Sequence, residues 1–87
     1  DPKVAKRLEG KYQLAPGFVL TVQVKEGRMM AQLTGQQFLG LSPKSETEWK
    51  YQAVDATLKF ELPESGNSPK LTLLQNGREM PCSRIAE

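Results

Sequence analysis

Histidine is missing from these 87 residues, and cysteine occurs once. The first absence removes the commonest general base, the commonest metal ligand and the usual pH switch together. The second excludes an internal disulfide and any paired-cysteine zinc or redox motif. Long apolar runs are missing as well. The longest are Phe18-Val19-Leu20 and Met29-Met30-Ala31, far short of the about 20 residues a bilayer-spanning helix needs. No signal-peptide pattern is read in these residues, and no membrane insertion is expected. Charge of one sign is scarce: twelve Lys and Arg stand against ten Asp and Glu, a net +2.

That small excess is local. Residues 1–11 hold Lys3, Lys6, Arg7 and Lys11 against Asp1 and Glu9, and the remainder is balanced. A nucleic-acid domain carries its basic stripe on the folded face that reads the ligand. Here the excess lies in a leader, so nucleic acid is not an expected partner. A chain this short is one domain, and it buries only about 60% of the surface its unfolded form exposes. The first residue is Asp rather than Met, which leads us to expect a processed chain or a piece of a longer protein, monomeric in isolation.

Two regions follow from the pattern: a linker or short helix over 1–9, and a β-domain over 10–87. Asp1 suits a cap, Pro2 suits the first helical position, and Val4 and Leu8 share a face. After Gly10 the period is two. Strands are predicted over 11–15, 18–25, 29–34, 37–41, 47–54, 57–62, 71–74 and 78–85. Pro16-Gly17, Glu26-Gly27, the 42–45 loop and the long 63–69 loop separate them, and Asn76-Gly77 signals a type I′ hairpin. Pro81 within the last strand points to an edge or a bulge. Short connections demand antiparallel neighbours. About eight amphipathic strands bury their apolar faces best by closing, which also removes the sheet edges. The fold class is therefore all-β, a small antiparallel barrel in meander order. A five-stranded Greek-key barrel is the alternative if strands merge. Phe18, Leu20, Val22, Met29, Leu33, Leu58, Phe60, Leu62, Leu71 and Leu73 are expected to fill it.

The residues carry no set for catalysis. The five serines have no histidine base, and no Ser-x-x-Lys spacing occurs. Glu46 and Glu48 point one way from a strand, with nothing nearby to raise one pKa as acid catalysis needs. One thiol and no imidazole leave only oxygen ligands, without a calcium-loop pattern. Cys82 reads as a buried, inert thiol. No catalytic, cofactor-binding or metal residues are assigned. Two features remain for recognition. Gln32, Gln36, Gln75 and Arg78 offer a polar hydrogen-bonding surface, against the plainer reading that Gln32 and Gln75 are outward strand positions and Arg78 flanks a turn. Trp49 is the ring best suited to anchor a partner.

Two stretches carry a resemblance. The first is Leu8-x-Gly10-x-Tyr12-x-Leu14-x-Pro16-Gly17-Phe18-x-Leu20-x-Val22 with Ala31-Gln32-Leu33-Thr34-Gly35-Gln36. The second is Leu71-x-Leu73-x-Gln75-Asn76-Gly77-Arg78-Glu79, running on to Arg84-Ile85. With Ser45-Glu46-Thr47-Glu48 and Asp55-Ala56 between them, the chain resembles a domain-of-unknown-function family. Its members follow serine-β-lactamase-like hydrolases as a C-terminal appendage. The resemblance covers about residues 8–85. It implies a lipocalin-like barrel without catalytic residues, a preceding hydrolase domain of the same chain as partner, and a periplasmic or secreted location. Cys82 stands where that family suggests a small residue such as Ala. The expected function is thus an accessory domain that modulates substrate access or recognition. The alternative is a carrier with a small apolar ligand, or a peptide-like one, inside the barrel.

Overall fold

The structure, a computed structural model, describes residues 2–85. Helix α1 (Pro2–Leu8) is followed by eight strands: β1 (Gly10–Ala15), β2 (Phe18–Lys25), β3 (Arg28–Leu33), β4 (Leu39–Pro43), β5 (Glu48–Tyr51), β6 (Ala56–Phe60), β7 (Lys70–Gln75) and β8 (Arg78–Ile85). Every neighbour pair is antiparallel, and β8 returns to β1, which closes the barrel in simple meander order. The eight-strand reading holds and no strands merge. The Asp1 cap lies outside the described residues.

Local chemistry explains most boundaries. Asn76 and Gly77 both have positive φ, 54° and 73°, the geometry of the type I′ turn their sequence signals. Residues opposite each other in an antiparallel pair alternate between bonded and non-bonded sites. Counting from Gln75↔Arg78, which closes that turn, Thr72↔Pro81 is a non-bonded pair. The missing N–H of Pro81 therefore faces β1, whose ladder to β8 ends at Gln13↔Ser83. This is the edge-like position that Pro81 requires.

The middle strands differ from expectation. β4 starts at Leu39 and absorbs Ser42 and Pro43, because Pro43 pairs with Trp49. β5 stops at Tyr51, and residues 52–55 form the connection to β6.

The core is made by inward positions of all eight strands, joined by Leu8 from the helix. Leu8, Tyr12, Val22, Leu58, Leu71 and Cys82 are completely buried. Three of the residues expected inside are only partly there. Phe18 keeps the inward phase of Leu20 and Val22, yet it stands above the rim at the end of its strand and is 52% exposed. Leu33 is half-buried at the end of β3, and Leu62 lies past the end of β6.

A meander gives the barrel two unlike ends. The β2–β3, β4–β5 and β6–β7 connections share one end with α1, and the helix plugs it. Arg84 points inward from β8 beneath the helix. Its Nε donates to Ser68 O at 2.5 Å, and Nη2 donates to Glu9 O at 2.7 Å, Tyr12 Oη at 2.9 Å and Arg7 O at 3.3 Å. Tyr12 Oη in turn donates to Leu8 O at 2.6 Å. The last carbonyls of α1 would otherwise be orphans. A guanidinium at a helix C-terminus satisfies them and complements the helix dipole. Arg7 clasps the β6–β7 loop through Gly66 O at 2.7 Å, and its own carbonyl accepts Ser68 N–H at 2.9 Å.

Candidate functional site

The other end of the barrel is open. It is ringed by the connections β1–β2, β3–β4, β5–β6 and β7–β8. A recess of about 210 Å³ lies among the last three of these, and its walls are largely apolar, with Leu20, Ala31, Leu33, Leu39, Ala56 and Leu73. Four polar side chains face into it: Gln36, Gln37, Tyr51 and Gln75. Val54, 43% exposed, stands on the rim, and Phe18 stands at the same end.

Each polar group is placed by local structure. Gln36 follows a turn in which its N–H donates to Leu33 O at 2.9 Å, with Gly35 at φ 84°. Gln75 is in phase with Leu71 and Leu73 and pairs with Ala56, an inward residue of β6. Tyr51 ends β5 opposite Leu41. Only 8% of Tyr51 is exposed, and burial pushes its phenol up to about 12. Its hydroxyl has no hydrogen-bond partner among the described residues, and it is not sealed from the recess. The carboxamides of Gln36, Gln37 and Gln75 likewise have no partner among the described residues.

The connections around the mouth, 15–18, 33–39, 51–56 and 75–78, contain one acid, Asp55, and one base, Arg78. These two line, with Glu79 of β8, a separate surface crevice beside the hairpin of Asn76-Gly77. The recess itself is lined by no ionised side chain, with donors and acceptors set in an apolar wall. Such a surface can bind an uncharged group by shape and hydrogen bonds. Burial keeps the Tyr51 phenol protonated near neutral pH. Among the described residues no cluster of three or more Cys, Asp or Glu could hold a metal ion.

The five residues singled out for recognition do not form one surface. Gln36 and Gln75 meet in the recess, and Arg78 lines the separate crevice. The reading of Gln75 as an outward position is corrected by its pairing with Ala56 and its place in the recess wall. Gln32 pairs with Thr21 on the outer wall. Trp49 sits at the plugged end, where it donates to Glu46 O at 3.2 Å and flanks Val4 and Ala5 of α1. Tyr51 and Gln37 were missed. Tyr51 was legible only as a core ring, and nothing local marks the free hydroxyl.

Cys82 is buried and opposite Leu71. Burial raises its pKa, and its thiol lies 3.6 Å from Met80 O. It has the surroundings of an inert thiol.

A family model described as a domain of unknown function (DUF3471) matches residues 1–83. No curated protein and no solved structure matches the chain.

Proposed function

The chain belongs to the DUF3471 domain family, and from that premise we propose that it is a non-catalytic accessory domain of a serine-β-lactamase-like hydrolase. In this reading the open mouth is the working surface. It packs beside the entrance of the preceding catalytic domain and modulates which substrates reach it. The hydrolase association rests on the resemblance of the Leu8–Gln36 and Leu71–Ile85 stretches. The same association supports a periplasmic or secreted location.

The observation that carries the reading is the rim. Phe18 and Val54 are exposed apolar side chains at the open end of a barrel whose other end is plugged. Half-exposed aromatic side chains beside a small recess are the kind of anchor that dominates interfaces. The carrier reading has less support. The recess is smaller than the roughly 300–1,000 Å³ of pockets that enclose whole ligands, and side chains fill the interior beneath it.

The test is turnover by the full-length hydrolase carrying Phe18→Ser and Val54→Ser together. We expect kcat/KM for its preferred substrate to change at least about three-fold, with the melting temperature of the 87-residue domain nearly unchanged. Kinetics identical to the parent would overturn the reading.

A further inference from the structure

We propose that the mouth recess is a binding site for a secondary amide bearing a short alkyl group, with the Tyr51 hydroxyl as its central donor. The inference deepens the accessory-domain reading by naming what its recess would hold, and it is tested separately from it.

Three observations converge. The first is an unpartnered polar atom on an otherwise buried side chain. Tyr51 is packed into the core and lines the recess, yet among the described residues its hydroxyl has no hydrogen-bond partner, only the Cys82 thiol as an electrostatic neighbour. Buried hydroxyls normally find one, and a Tyr in a binding surface presents an apolar body with a polar tip. The second is the company it keeps. Gln36, Gln37 and Gln75 each offer a carbonyl acceptor and an N–H donor, the first two from the β3–β4 connection and the third from the end of β7. A secondary amide has one acceptor and one donor, so a phenol that donates and a carboxamide that accepts complete it. The third is the wall. Leu39 and Leu73 stand beside these groups, which suits a methyl or short alkyl substituent.

Charge and size narrow the class. No ionised side chain lines the recess, and burial disfavours the phenolate of Tyr51, so a carboxylate or ammonium would lose its hydration without a counter-charge. A cavity of about 150 Å³ accepts a benzene-sized group. At about 210 Å³ the recess takes an acetamido group or one residue of a peptide, not a long acyl chain.

Two sources share this chemistry, and two probes separate them. N-acetyl-alanine methylamide represents a peptide, and N-acetylglucosamine represents an acetamido sugar. Each is titrated into the ¹⁵N-labelled chain, with acetate as the charged comparison. We expect saturable shifts of the Gln36, Gln37 and Gln75 side-chain amides with at least one neutral probe and none with acetate. Tyr51→Phe keeps the packed ring and should weaken that probe about five-fold, the worth of one hydrogen bond. Gln75→Leu should weaken it similarly, and Gln32→Ala on the outer wall should leave it unchanged. Absence of saturable shifts with both neutral probes overturns the site, as does unaltered affinity in both Tyr51→Phe and Gln75→Leu. Binding that persists while full-length turnover ignores Phe18 and Val54 would sink the accessory reading and leave the recess standing.

Discussion

Gly10 and Tyr12 of β1 act together with Arg84 of β8, which the chain keeps far from them. Gly10 has φ 148°, and a Cβ there would overlap the Arg84 guanidinium. The glycine is thus required by its backbone and by the side chain lying over it. Arg84 also lies over the ring of Tyr12, 5.0 Å from its centroid. An arginine half-buried without a carboxylate is held by backbone carbonyls instead. Arg84→Met would leave the carbonyls of Ser68 and Glu9 and the Tyr12 hydroxyl short of a donor. We expect a loss of about 3 kcal/mol, from charge-assisted bonds and desolvated acceptors, measured by urea unfolding. A change below about 0.5 kcal/mol, the range of ordinary surface substitutions, would contradict this role. At this scale the recess was partly legible. Gln75 shares parity with Leu71 and Leu73, which places it inward. That the Tyr51 hydroxyl lacks a hydrogen-bond partner among the described residues was not legible, because it depends on which side chains closure brings opposite it.

Among elements, α1 carries the most information. Val4 and Leu8 were legible as one apolar face, and Leu8 is fully buried. A seven-residue helix is marginal in water, so its docking supplies the stability. Leu8→Ala should therefore destabilise the whole chain by about 3 kcal/mol, within the usual range for a buried leucine, seen as a fall in the urea midpoint with little change in slope. The bases of the leader also have a use that composition hides. Arg7 holds the β6–β7 loop rather than simply solvating a linker. Turns with a forced backbone sign, such as Asn76-Gly77, were readable from two residues. The β4–β5 region was not, since its ends are set by the pairing of Pro43 with Trp49 rather than by a turn signal.

For the whole molecule, closure sorts the charges. Lys3, Lys6, Arg7, Lys25, Glu26, Arg28 and the ionised residues of the 61–70 segment all lie toward the plugged end, and the mouth recess is left without an ionised side chain. Ionic pairing contributes little; Lys70 and Glu61 meet at 3.2 Å but are both about half exposed. Burial of the two tyrosines has a larger consequence for pH. Both phenols are raised above the ordinary value of 10.0, Tyr51 to about 12. The folded chain therefore holds protons that the unfolded chain releases between these values. The stability contributed by Tyr51 is complete below pH 10 and is lost as pH rises toward about 12. The urea midpoint should fall between about pH 9 and about pH 11.5, and Tyr51→Phe should flatten part of that fall. A midpoint independent of pH across this window would refute the assignment.

The sequence by itself determined the strand-rich pattern, the tight turns, the meander order and the docking face of α1. These are readable because period-two alternation and positive-φ turn residues act over a few positions. Only the tertiary structure decided which end is plugged, that Phe18 stands above the rim, and that Gln36, Tyr51 and Gln75 share a recess. Those facts depend on barrel closure and register, which bring together groups that no local rule connects.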